Sequence, residues 1–149
     1  MKNLFNQEAE QEILNRFNTL TPDSRRQWGK MYVDQMLAHC SVTLEVATGQ
    51  KSPPRLFIGK LLAPFFKSSV LSDKPFSKNG PTDKSFIVTD RRDFDAEKTK
   101  LTGLIKQFSE GGAEKCTTHP HSFLGKLTAD EWGLIMYKHL DHHLKQFSA

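Results

Sequence analysis

Thr128-Ala129-Asp130-Glu131-Trp132-Gly133-Leu134-Ile135-Met136-Tyr137-Lys138-His139-Leu140-Asp141-His142-His143-Leu144-Lys145-Gln146-Phe147-Ser148-Ala149 closes the chain. This stretch reads as one amphipathic helix. Thr128 is placed to cap it, and Glu131 three residues later completes a capping box, in which each side chain reaches the other residue's backbone N–H. A helix advances about 100° per residue. With His139 at zero, Trp132 lies about 20° away, His143 about 40°, Met136 about 60° and Phe147 about 80°. Lys138, Asp141 and Lys145 point the other way, and His142 sits about 60° off on the opposite flank. The buried stripe therefore passes between His139 and His143, and His142 is a rim residue.

Working towards the N-terminus, the same periodicity predicts a helix over Phe94–Gly111. Asp93 caps it, Gly111-Gly112 closes it, and Leu101, Leu104, Ile105 and Phe108 form its stripe. Met31–Thr48 is another long helix, stopped by Gly49. Asn6–Leu20 is the first, with Ala9, Ile13, Leu14 and Phe17 at helical spacing. Thr21-Pro22-Asp23-Ser24 reads as the start of a short helical turn reaching Trp28-Gly29. Between Gln50 and Arg92 the signals are weaker. Arg55–Ala63 forms a short helix that Pro64 ends or kinks, Phe86-Ile87-Val88 is a short extended piece, and the rest is loop. Four long helices with one long connection between the second and third predict an all-α four-helix bundle in a single domain, residues 1–149, with the long stretch as crossover.

The same wheel places His39 on the axis of the second helix's apolar stripe. Gln35 and Thr43 lie about 40° to either side, and Asp34, Ser41 and Glu45 fall opposite. His39 therefore points into the core, where His139 and His143 also point. Residues four apart on a helix are about 5–6 Å apart at Cβ, close enough to share one metal ion. Three buried imidazoles without partners are costly. A metal removes that cost, and three protein ligands leave coordination positions open. Neutral imidazole suits zinc, nickel, copper or iron. Gln35 and Thr43 are the nearest polar supports, with Trp132 and Met136 as core or pocket wall. His119-Pro120-His121 beside Cys116 is a second, smaller candidate cluster.

Composition bounds the alternatives. The chain has 149 residues, a formal net charge of +4 and a pI near 9.1. Lys and Arg are scattered rather than striped with aromatics, which argues against nucleic acid as partner. No apolar run is long enough to span a bilayer, so no membrane partner is expected. The polar start Met1–Gln7 lacks a signal-peptide h-region and points to the cytoplasm. Two cysteines, Cys40 and Cys116, make no disulfide framework.

Two stretches carry a family likeness. Trp28-Gly29-Lys30 with Met31-Tyr32-Val33-Asp34-Gln35-Met36-Leu37-Ala38-His39-Cys40 is the first. The second is His119-Pro120-His121-Ser122-Phe123-Leu124-Gly125-Lys126-Leu127-Thr128, then Glu131-Trp132 and Tyr137 through Phe147. Together they resemble the DinB-like superfamily, in a branch known only as a domain of unknown function. The resemblance implies a four-helix bundle in up-down-down-up order. It also implies a divalent metal, most often nickel or zinc, held by His39, His139 and His143. Members of the superfamily include thiol-dependent transferases and isomerases and are often dimeric.

Two functions follow as expectations. One is a metal-dependent enzyme acting on a small molecule, of thiol S-transferase or hydrolase type. It would use a low-molecular-weight thiol or water, with His142 or His121 as acid–base candidates. The alternative is a non-catalytic small-molecule-binding or stress-related bundle, with Leu134 and Tyr137 on the outer face of the last helix serving a homodimer interface.

Overall fold

The computed structural model describes residues 1–149 and is all-helical, with five α-helices and no strand. These are α1 (Gln7–Asn18), α2 (Val33–Ala47), α3 (Phe57–Val70), α4 (Phe94–Gly111) and α5 (Ala129–Gln146), with two short 3-10 turns at Lys84–Phe86 and Ala113–Lys115. No helix is long and apolar enough to cross a membrane. The core is drawn from α1, α2, α4 and α5: α2 packs on α4 and α5, and α1 packs on the same two.

The caps expected at Asp93 and Thr128 form, whereas Asn6, at the start of α1, makes no side-chain cap bond. The Asp93 carboxylate accepts the Ala96 N–H at 2.7 Å. Thr128 Oγ1 accepts from Glu131 N at 3.2 Å, and Glu131 Oε2 accepts from Thr128 N at 2.8 Å, the reciprocal pair of a capping box. Glu131 also holds Lys67 at 3.0 Å, which ties the start of α5 to α3.

Four expectations need correction. Residues 21–30 form turns and bends rather than a helical turn. Phe86 ends a 3-10 turn, so the extended piece expected at Phe86-Ile87-Val88 begins only at Ile87. α3 continues through Pro64 to Val70. Proline frees the carbonyl of Lys60, but both residues face solvent, so water can satisfy it. The opposite face of α3 sits so close to the loop after His121 that a Cβ on Gly59 would lie 2.7 Å from the Phe123 carbonyl oxygen.

The fourth correction concerns α2, which is buried on nearly its whole circumference. Asp34, Ser41 and Glu45, placed opposite His39 by the wheel, are only 2%, 0% and 7% exposed. The charges are matched from distant sequence. Asp34 accepts from the Arg91 Nε at 3.0 Å and from the Arg92 backbone N–H at 2.7 Å. Glu45 is paired with Lys51 and, at 2.7 Å, with Lys100. Burial raises the Asp34 carboxyl, but the Arg91 and Arg92 donors outweigh it and leave it below the usual range. Gln35 completes this seam: its amide donates to the Thr89 carbonyl at 2.8 Å and its oxygen accepts from Tyr32 N at 2.9 Å. The segment 86–92 is thereby strapped along α2.

Leu134 and Tyr137 are also covered rather than free. Leu4 N donates to the Gly133 carbonyl at 3.1 Å, and Tyr137 Oη donates to Glu12 at 3.0 Å. The largest grouping of apolar side chains that face solvent is on α3. Phe57, Ile58, Leu61 and Phe65 are 83%, 56%, 67% and 77% exposed and share the face away from Phe123.

Candidate metal centre

α2 delivers His39, and α5 delivers His139 and His143 one turn apart. Their ring centroids are separated by 4.9 Å (His39–His139), 4.8 Å (His39–His143) and 4.6 Å (His139–His143). One ring nitrogen from each lies within 4.8 Å of the others. His39 and His143 are buried and His139 is part-buried.

The outer nitrogens decide the tautomers. His39 Nδ1 lies 2.7 Å from the Phe86 carbonyl oxygen, which can only accept, so Nδ1 carries the proton. His143 Nδ1 lies 2.8 Å from Gln146 Oε1, again an acceptor. That amide is oriented by its own nitrogen, which donates to the Trp28 carbonyl at 2.9 Å. His139 Nδ1 faces Thr43 Oγ1 at 3.3 Å, and the threonine hydroxyl donates to the Cys40 carbonyl at 2.8 Å. Thr43 therefore accepts from His139. In all three rings Nδ1 holds the proton, and Nε2 is left with a lone pair directed inward.

Two of these lone pairs meet. His39 Nε2 and His139 Nε2 are 2.9 Å apart, with no proton of the neutral rings between them. That contact is repulsive unless something positive joins the two nitrogens. Metal–nitrogen bonds of about 2.0–2.1 Å are longer than half that separation, so one ion can reach both. An imidazole that donates its second N–H to a protein acceptor is also the usual setting of a metal-ligating histidine. The residues present fit a divalent ion.

The rings are held neutral. Burial lowers His39, and it lowers His143 to about 3 with help from the neighbouring His39. His139 is pushed well below its ordinary value, first by burial and then by His143 and His39. Neutral imidazole is the form that binds metal. The thiols do not contribute. Burial raises Cys40, and raises Cys116 to about 11, so neither is a thiolate near neutrality.

The other site candidates separate. Thr43 supports His139, as above. Gln35 belongs to the seam between α2 and residues 89–90 rather than to the imidazoles. Met136 is a core residue, and Trp132 packs against the His121 ring at 5.4 Å. His121 Nδ1 accepts from the backbone N–H groups of Phe123 and Leu124 at 3.1 and 3.2 Å. His119 Nε2 pairs with the Pro53 carbonyl at 3.2 Å. Cys116 approaches the Ala47 carbonyl, so Cys116, His119 and His121 form no second cluster.

His142 stands on the rim. Its ring is 5.2 Å from His143 on one side and 5.6 Å from Trp28 on another. Beyond it opens a groove of about 500 Å³ lined by His142, Trp28, Phe76, Lys78 and Lys138, among others. Two supports of the centre had not been picked out. Gln146 carries a helical signal, three residues after His143 on the same side. The Phe86 carbonyl carries none, because a loop brings it to His39 across 47 residues.

The model of a family described as "Protein of unknown function (DUF1569)" matches residues 2–149. No curated protein and no solved structure matches the chain.

Proposed function

The chain belongs to the DUF1569 family, whose description states no activity, and from the geometry of the site we propose a divalent-metal centre on the Nε2 atoms of His39, His139 and His143. One observation carries this: three inward lone pairs converge while each Nδ1–H is committed to a protein acceptor. Nickel or zinc suits an all-imidazole set. A bound ion supplies Lewis acidity that makes water or a small thiol nucleophilic near neutral pH. The reading is therefore a metal-dependent hydrolase or thiol S-transferase. Phe86, Thr43 and Gln146 orient the three rings. His142, on the groove side of His143, is the residue we assign to carrying a proton. His121 is not given that role, because two backbone donors already occupy its Nδ1.

The same proposal includes the DinB-like likeness. Helices α1, α2, α4 and α5 would form an up-down-down-up four-helix bundle, with α3 riding on the crossover. The test is elemental analysis of the purified chain, followed by turnover of an electrophile with a low-molecular-weight thiol and of ester substrates. About one nickel or zinc per chain with metal-dependent turnover is the expected result. Metal without any turnover would favour a non-catalytic binding protein, and no metal at all would sink the centre.

A homodimer also belongs to the proposal, placed on α3. Its four exposed side chains present on the order of 500 Å² of apolar surface. A symmetric pair would bury about 1,000 Å² in total, the least expected of a biological interface and typical of a weak one. Leu61→Asp with Phe65→Glu should convert a dimer to a monomer in light scattering without unfolding it. A wild-type chain that is monomeric at micromolar concentration would exclude this interface.

A further inference from the structure

The groove beyond His142 has a charge pattern that the metal centre does not use. Four lysines line it, Lys2, Lys78, Lys138 and Lys145, against Asp73 and Asp141. Asp141 is already matched by Arg16 at 2.8 Å and Lys145 at 2.7 Å, and Lys2 is paired with Glu12. Lys78 and Lys138 form no salt bridge; Asp73 acts on Lys138 only through space, without direct contact. Lys138 instead donates to the carbonyls of Val70 and Ser72, at the C-terminal end of α3. Each of these two cations lies over an aromatic ring: Lys78 is 4.5 Å from the Trp28 centroid, and Lys138 is 4.9 Å from that of Phe76. Both rings also face His142, at 5.6 and 6.2 Å.

We propose that this groove binds a small organic anion with a planar or aromatic body, its charge between Lys78 and Lys138 and its flat part against Trp28 and Phe76. The volume, about 500 Å³, lies within the range of small-molecule sites. Pockets of this kind combine apolar walls with a few placed charges, here two ammonium groups that carboxylate, phosphate or sulfonate would satisfy. His142 closes the inner end and touches His143, so a ligand seated here presents one end towards the trihistidine centre. The proposal names a substrate class for that centre and rests on the metal reading only for which end of the ligand reacts. Binding itself needs no metal.

The probe is phenyl phosphate, titrated calorimetrically into the full chain at low ionic strength, with phenol and inorganic phosphate as separate arms. Phenyl phosphate should bind more tightly than either fragment. Lys78→Glu, at an exposed position, should weaken it about tenfold by replacing an attractive charge with a repulsive one. Trp28→Ala should weaken it as well, and chelator treatment should not. Undetectable binding of phenyl phosphate, equal affinity in Lys78→Glu, or equal affinity for phenol or for inorganic phosphate overturns the proposal. Binding by a chain that purifies without metal would leave the groove standing and remove the metal centre. Metal retention without phenyl phosphate binding would do the reverse.

Discussion

His143→Ala should lose its metal while keeping its fold. Wild type is expected to carry about one ion per chain and the variant less than about a tenth of that, with affinity down by more than a hundredfold. The reasoning starts from weaker lesions: removing a partner that only orients a metal ligand typically costs 10–100-fold. Loss of a ligand must exceed that, because two imidazoles remain where three converged. The thermal readout separates metal loss from ordinary damage. Metal at about a thousand times its dissociation constant stabilises the native state by about 4 kcal/mol. In a domain of this size that is roughly 8–16 °C in Tm. Wild type should show that difference with and without metal, and His143→Ala should show at most about a third of it, since a hundredfold loss leaves metal at no more than about ten times the variant's dissociation constant. Gln146→Leu and Thr43→Val should fall between, with affinity reduced about 10–100-fold. Wild type that melts at one temperature with or without nickel and zinc would make the three histidines a packing cluster only.

The centre was legible because its information is local. His139 and His143 are one turn apart in a helix whose capping box fixes its start, and His39 lies on the axis of an apolar stripe. A helical wheel needs nothing else to point all three inward. What it cannot show is where partners come from. It put Asp34, Ser41 and Glu45 opposite His39 by angle, but a polar face is solvent only when no partner arrives to cover it. Arg91, Lys51 and Lys100 do arrive, with the Arg92 backbone N–H, and α2 is buried almost all round.

The middle of the chain was harder for the same reason. Pro64 is a helix breaker in isolation, but α3 spends its proline on the solvent face and is held elsewhere by its contact with Phe123 and by Lys67, which donates to the Lys126 carbonyl. The exposed Phe57 and Phe65 would have been placed in a core on composition alone. The residues that fix the imidazole tautomers divide likewise. Gln146 follows from spacing on α5, whereas the Phe86 carbonyl depends on the strap along α2 formed by Gln35 and Asp34. The position of that loop in turn sets which nitrogen of His39 faces His139 and His143.

Acid should weaken the fold through His121, away from the centre. Its Nδ1 accepts two backbone N–H groups at the turn that Gly125 closes, with the His121 N–H donating to the Gly125 carbonyl at 2.8 Å. Protonation of Nδ1 would turn that acceptor into a third donor. Burial lowers this imidazole to about 4, although the nearby Asp83 pulls the other way. An unfolded histidine titrates near 6.5. Between those values the unfolded chain binds a proton that the native chain refuses, so stability rises with pH there. The contribution is complete above about 6.5 and is lost as pH falls towards about 4. Between pH 7 and pH 4.5 this one residue should cost about 2 kcal/mol. His121→Asn keeps a side-chain acceptor for the two amides and cannot titrate. Urea unfolding at both pH values, with chelator present throughout, gives the loss for each chain. The wild-type loss should exceed that of His121→Asn by about 2 kcal/mol, since every other titrating group is common to both. Equal losses would mean that the turn tolerates a charged His121, and the two amide bonds would then not be what holds it.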